Sequence, residues 1–530
     1  MSRLTSILKD CLRSTYLPVI LLTALGGALR FYRLGSEPIW LDEAATLMFA
    51  RRSLHDLWIA YPLHEPNPPL YYTLQKLWLI FGESEVMIRS LSAIIGTLNV
   101  PLLYLLGRIL GGHWVGVMAA ALLATSVVHI QFSQEARAYA LLTAAATLAL
   151  CGLARLLKDP AAAATFVFRA SVRWLGSGFR SSQGVATDLA WLAYIAGVSV
   201  ALYSHNTAIL LPLLANVITF IWWVKVGRFS KGFFWNWFAA NVAVLLIWSW
   251  WLRIVIYQTL ITMADFPRSA ATLYSAAWTL VGIYGQGPVP IYGQAPVIHG
   301  EVLVTQLQLW TTLVLWGFAL LGLWSWRRQS LNLALTATFV ASVPLLTFLI
   351  GLWRPIFMGR VLLWPTGPLF VLIAAGLVFV RPTFLRGFVV LLVLVSQMHH
   401  SSNYYRDFLK EPWIQIASYI ESRVHKNDAI LFFPEFISTP FRHYFRNVGI
   451  PQYYVSEAAL KADGKLLLHG LRSDRIWLVT FDRDNRDPND LIRSALLRAG
   501  MALEYRRFRG AKQFDVFLFE NTNRFLSLGR

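Results

Sequence analysis

Apolar residues run along the chain in long blocks separated by short polar breaks. Blocks of roughly 17 to 25 residues, long enough to cross a bilayer as a helix, begin near Tyr16, Val86, Trp114, Ala138, Asp188, Thr207, Trp235, Val302, Leu331, Val361 and Gly387. About eleven transmembrane helices are predicted on that measure. Between the first two blocks, Leu47, Ala50, Leu54, Leu57, Trp58 and Tyr61 recur at helical spacing and predict an amphipathic helix lying on the bilayer surface. The run from Leu70 to Phe81 is too short to cross and is read as a second interfacial helix. From about Ser401 the long blocks stop. There "DAILFF", "RIWLVTF" and "FDVFLFE" read as strands, while "EPWIQIASYIES" and "DLIRSALLRAG" read as helices. Two domains are therefore expected, a membrane domain over 1–400 and a small soluble α/β domain over 401–530.

Composition agrees with the pattern. The 530 residues are 56% hydrophobic and 14% aromatic, only 14% are charged, and the mean hydropathy is +0.51, which describes a polytopic α-helical membrane protein. A formal net charge of +19 would suit a polyanionic partner such as nucleic acid, but its placement argues for topology instead. With Arg3, Lys9 and Arg13 on the cytoplasmic side, every expected inner loop is basic: Arg108; Arg155, Lys158, Arg169, Arg173 and Arg180; Lys225, Arg228 and Lys231; Arg327 and Arg328; Arg381 and Arg386. No nucleic-acid partner is expected, and the C-terminal domain falls on the outer face. The first block lacks a small-residue cleavage site and reads as an anchor. Cys11 and Cys151 fall at cytoplasmic membrane ends, so no disulfide framework is expected.

Candidate chemistry gathers in the outer loops. Asp42 and Glu43 sit side by side in "EPIWLDEAAT"; the simplest structural reading makes Asp42 a helix cap with Glu43 in the first turn. "HEPNPPLYY" places His64 and Glu65 ahead of a proline-stiffened turn, which can hold polar groups for chemistry or be a rigid surface turn. "HIQFSQEARAYAL" brings Gln134, Glu135, Arg137 and Tyr139 to an outer membrane end, where an ordinary interfacial ion pair is the plain reading. "WRPIFMGRVLLWPTGPLF" adds Arg354 and Arg360, which are more informative because outer loops are poor in Arg. A guanidinium at that depth can snorkel to lipid phosphate or bind a phosphate ester bidentately. His205 and Asn206 in "YSHNTAILL" read as structural. "FDRDNRDPND" reads as a solvated loop without calcium-loop spacing, and the near-repeat of "IYGQGP" and "IYGQAP" reads equally as a lid or acceptor-contact loop or as ordinary disorder. No dinucleotide-binding, Walker or zinc pattern is present.

Taken together, "LRFYRLG", "WLDEA", the interrupted "HEPNPPLYY", "SQEARAYAL" and "GRVLLWPTGP" resemble the GT-C membrane glycosyltransferases. The resemblance is to the bacterial family related to protein O-mannosyltransferases and the lipid A aminoarabinose transferase. It departs from that pattern where His and Pro are not consecutive and where Val361 follows the late Arg. The resemblance implies an integral protein of the bacterial inner membrane that inverts configuration as it moves a sugar from a polyprenyl-phosphate donor to an acceptor hydroxyl on a lipid, polysaccharide or protein. Asp42, Glu43 and Glu135 would be catalytic. His64, Tyr71, Arg137, Tyr139 and Arg360 would contact substrate, with Arg360 on the lipid phosphate. Hard oxygen ligands suit Mg²⁺ or Mn²⁺, so a divalent cation held by Asp42, His64 and Glu135 stays open as a cofactor. The scheme requires the two acidic positions and the late guanidinium to meet in one cavity below the external headgroups. A transporter or flippase using the same polar residues as a path is the competing class, and a catalytically silent scaffold is a third.

Overall fold

A computed structural model describes residues 16–60, 65, 67–164, 182–226, 230–260, 272–284, 297–298, 301–302, 306–353, 356–407, 410–447, 449–457, 460, 473–510 and 512–520. His64, Arg354, Cys11 and most of the "IYGQ" loop lie outside them. The chain divides into two compact units: Met1–Leu34 with Arg52–Asp407, and Gly35–Arg51 with Phe408–Arg530. Two features differ from the division expected at residue 400. The last membrane helix runs on to Asp407, and part of the first loop belongs to the second unit.

The first unit is helical apart from one two-residue antiparallel pair, Val297–Ile298 with Glu301–Val302. Eight helices among the described residues are long and apolar enough to cross a membrane: Glu85–Gly111, Tyr139–Lys158, Gly184–Leu202, Asn206–Lys225, Lys231–Leu260, Gln308–Ser325, Ser330–Gly351 and Thr383–Arg406. We label Leu17–Phe31 α1, Glu85–Gly111 α2, His113–Thr125 α3, Val127–Ser133 α4 and Tyr139–Lys158 α5. The helices α3 and α4 form one candidate span bent by 59°. Two of the expected spans are shorter than sequence blocks suggested, α1 with 15 residues and Thr366–Phe379 with 14.

Local chemistry sets several of these ends. Ser84 accepts from the amide of Met87 at 3.3 Å to start α2, and Gly112, with φ of 89°, takes the left-handed turn that separates α2 from α3. Where helices cross, glycine removes the side chain. A Cβ on Gly152 would lie 2.5 Å from the Ala190 carbonyl oxygen, and one on Gly197 would lie 2.5 Å from the Ala149 nitrogen, so α5 and the helix Ser182–Leu202 touch backbone to backbone. The segment Leu70–Trp78 is a nine-residue helix followed by a single 3₁₀ turn, far too short to span.

The second unit is a five-stranded sheet with flanking helices. Its strands are β1 Asp428–Phe433, β2 Gln452–Tyr454, β3 Arg475–Phe481, β4 Met501–Arg509 and β5 Gln513–Glu520. The order is β2-β1-β3-β5-β4, parallel on the β2-β1-β3 side and antiparallel thereafter. The central strands β1, β3 and β5 are buried almost throughout, which makes their sequences near-continuous apolar runs. Helices Trp413–Glu421 and Leu491–Ala499 fall where periodicity places them. Edge strands β2 and β4 and the helix Ser438–Tyr444 were not expected. Part of "FDRDNRDPND" is not solvated: Asp487 is buried and accepts from the amides of Leu491 at 2.8 Å and Ile492 at 3.1 Å, starting the following helix.

Candidate functional site

In the second unit, the helix Leu41–Ala50 begins after an extended Trp40, so Asp42 and Glu43 lie inside its first turn. Asp42 is therefore not the cap; both carboxylates sit where amide dipoles favour negative charge. The apolar stripe expected to continue to Tyr61 is broken, because this helix stops at Ala50 and a separate turn forms over Asp56–Ala60. Asp42 is half-buried, while Glu43 is fully buried. Glu43 Oε2 accepts from its own chain at Trp40 N, 3.4 Å away, and from Lys410 Nζ at 3.2 Å. Both members of that ion pair are shielded from solvent. Neighbouring Glu411 accepts from Leu41 N at 3.1 Å and from the Trp413 indole, and Tyr444 Oη accepts from Ile39 N at 2.7 Å. The acidic turn is thus held by three residues, Lys410, Glu411 and Tyr444, that no motif in the first loop announces.

In the first unit, the remaining described candidates occupy two linked clusters. Arg360 lies on a 3₁₀ turn, Gly359–Leu362, with its guanidinium carbon 6.0 Å from the Tyr139 ring centre. The His205 ring is 6.3 Å from the same tyrosine. Burial, and after it the charges of Arg360 and Arg137, lower the His205 imidazole to about 3, so it is neutral at pH 7. Its Nδ1 accepts the Thr207 amide at 3.2 Å, which puts the ring proton on Nε2 and makes that nitrogen a donor. Two cations, a tyrosine and a neutral histidine donor form a spot receptive to an anion. The structural reading of His205 holds, since its ring caps the 3₁₀ turn Asn206–Ile209; what only the fold shows is that Arg137 and Arg360 are near enough to act on it.

The second cluster supports the first. Tyr71 is buried and its hydroxyl lies 2.7 Å from Ser92 Oγ, which donates to the Arg137 carbonyl at 3.1 Å. Glu135, also buried, is on the bend between α4 and α5, and its carbonyl accepts from Arg137 N at 2.8 Å. Glu65 Oε1 ties the proline turn together, accepting from Tyr72 Oη at 2.9 Å and Asn67 N at 3.1 Å. Among the described residues no group of three or more His, Cys, Asp or Glu is placed to hold a metal ion.

Residues 65–187 match the family model described as dolichyl-phosphate-mannose-protein mannosyltransferase. Among solved structures, the oligosaccharyltransferase of Archaeoglobus fulgidus in the apo form aligns over 97% of this chain and 75% of its own, with 12% identity and a TM-score of 0.56. The same archaeal enzyme, AglB, with an inhibitory peptide and a dolichol-phosphate gives the same coverage with 11% identity and a TM-score of 0.51. The chain has the GT-C fold. A looser likeness to ArnT from Cupriavidus metallidurans bound to undecaprenyl phosphate covers 95% of this GT-C chain and 98% of that one, with 12% identity and a TM-score of 0.44. No curated protein sequence matches it significantly. With this fold and its apolar helices, it is an integral membrane protein.

Proposed function

We propose that this GT-C protein is an inverting glycosyltransferase that moves a sugar from a polyprenyl-phosphate carrier to an acceptor hydroxyl. The observation that carries the reading is that Arg360 and a neutral His205 both lie against Tyr139, with Arg137 near enough to act on the His205 ring by charge. That set of donors matches what a departing lipid phosphate needs. The family match over 65–187 and the dolichol-phosphate bound by AglB support the same donor class.

The acceptor oxygen forms a bond to the anomeric carbon as the bond from that carbon to the phosphate oxygen breaks, and the phosphate leaves with the electron pair. Arg360 stabilises the charge that develops there. Asp42 takes the acceptor proton, and Glu135 is the second acidic position of the site. Glu43, engaged by Lys410, supports Asp42 rather than reacting. A phosphate leaving group needs no acid to protonate it, unlike the leaving oxygen of a glycosidase. The sugar is a hexose or pentose, the acceptor is a lipid, polysaccharide or protein, and the setting is the outer face of a bacterial plasma membrane with the second unit extracytoplasmic.

Reconstituted vesicles given polyprenyl-phosphate sugars test this. Asp42→Asn and Arg360→Gln should each lower transfer by about 100-fold or more while the protein stays folded and inserted. Unchanged transfer in Asp42→Asn removes the proposal. Movement of the carrier between the two faces of sealed vesicles without transfer would establish the transporter class instead.

A further inference from the structure

The span α3–α4 is broken at Ser126, and a break inside a membrane helix frees carbonyls that must find other donors. In an unbroken helix the Leu123 and Ala124 carbonyls would accept from the amides of residues 127 and 128. Here Ser126 is extended, with φ of −65° and ψ of 117°, and α4 departs at 59°. The missing donors come from Arg30, on the last turn of α1. Its Nη2 donates to Leu123 O at 3.1 Å and its Nη1 to Ala124 O at 3.2 Å and Gly26 O at 2.9 Å. Its Nε donates to Ser133 Oγ at 3.2 Å, at the far end of α4. One side chain therefore ties the end of α3 to the far end of the seven-residue α4.

The backbone of the same residue continues the grip. Gln134 Nε2 donates to Arg30 O at 3.0 Å and to Tyr32 O at 2.8 Å, while its Oε1 accepts from Tyr404 Oη at 3.1 Å. Space for the guanidinium is made by glycine. A Cβ on Gly96 would fall 2.1 Å from Ser133 Oγ and 3.1 Å from Arg30 Nε. Arg30 is fully buried, and all four of its bonds go to carbonyl or hydroxyl oxygens. A buried cation with no carboxylate among those acceptors is costly, and two freed carbonyls plus an orientation to be fixed account for its presence. A lysine could not reproduce the planar fork that reaches three carbonyls and a hydroxyl.

We infer that Arg30 is a positioning residue: by capping the broken span it sets the direction of α4 and hence the placement of Glu135 and Arg137. The inference rests on the glycosyltransferase reading for its catalytic consequence, but its structural arm is independent of activity.

The test uses the full-length protein in lipid nanodiscs, with Arg30→Met and Arg30→Lys read by hydrogen exchange and by steady-state transfer. In Arg30→Met, exchange should rise over residues 127–137 with the other helices unchanged. The turnover number should fall by about 100-fold, the loss expected when reacting groups are misplaced by an ångström, and KM for the lipid donor should rise as Arg137 is displaced. Arg30→Lys should fall between Met and wild type on both readouts. Wild-type exchange over 127–137 in Arg30→Met overturns the inference whether or not any sugar is transferred. If Arg30→Met loses its fold, Arg30→Lys decides: wild-type exchange and turnover there, or global unfolding of both variants, also overturns it. Absence of transfer in the wild type, with the exchange change present, removes the enzymatic reading and leaves the structural role of Arg30 standing.

Discussion

Glu411 carries a pH dependence that a sequence cannot display. Burial raises its carboxyl to about 8, outweighing the lowering from the Trp413 and Leu41 hydrogen bonds, and the nearby charges of Asp42 and Glu43 add to the rise. Unfolded, the same carboxyl ionises near 4.5. Between those values the folded state binds more protons than the unfolded state, so this group's contribution to stability falls as pH rises from about 4.5 to about 8. A glutamine in place of Glu411 keeps an acceptor for Leu41 and Trp413 and has no charge to desolvate. Glu411→Gln should therefore match wild type near pH 4.5 and exceed its melting temperature increasingly up to pH 8. A melting-temperature difference independent of pH would show that Glu411 does not titrate in this window. Lys410 has a related role, since removing it would strand the Glu43 carboxylate in a buried site, a kind of loss that costs about 3 to 5 kcal/mol.

At the scale of elements, close helix contact depends on residues without side chains. The helices Gln306–Ser325 and Thr366–Phe379 meet at Gly322 and Gly376. A Cβ on Gly376 would lie 2.0 Å from the Phe318 carbonyl oxygen, and one on Gly322 would lie 2.1 Å from the Leu372 carbonyl oxygen. Neither obstacle is the end of a flexible side chain, so the backbones must separate. Gly376→Ala gains roughly 1 kcal/mol in helix propensity yet should lose about 1 to 3 kcal/mol net through overpacking, seen as a lower melting temperature in detergent. Gly317→Ala, on the same helix as Gly322 but with open space around its Cβ, serves as the control and should be neutral or stabilising. Equal effects at both positions would mean that the contact is not what limits the packing.

For the whole molecule, the division into units means that the chain after Asp407 is not a detachable appendage. Gly35–Arg51 belongs to the same compact unit as Phe408–Arg530, and the ties through Lys410, Glu411 and Tyr444 explain why. Truncation after Asp407 should still insert in the membrane, because the first unit keeps its helices. Transfer should be lost, and residues 35–51 should become cleavable by protease in intact vesicles. Full activity in the truncated chain would show that the acidic turn holds its shape without those partners.

Much of this architecture is legible in the sequence because the membrane imposes a strong rule. A segment of about 20 apolar residues has no place for its backbone polar groups except a helix, so the long spans appear as blocks of Leu, Ile, Val, Ala and Trp. Strands β1, β3 and β5, buried almost throughout, are equally readable as short apolar runs. Strand β4 is not, because "MALEYRRFR" alternates charge with apolar side chains at a sheet edge, and its strand character comes from pairing with β5. The acidic turn and the late Arg stand out as polar residues in apolar surroundings, whereas their supports are distant in sequence. Lys410 is 367 residues from Glu43, and Arg30 is 103 residues from Ser133. Hydropathy, a local sum along the chain, fixes which segments enter the membrane and which residue types are costly enough there to need a reason. Which carbonyl a buried guanidinium caps, which carboxylate a buried lysine neutralises, and which nitrogen of His205 keeps its proton depend on distances between segments, and only the folded chain decides those.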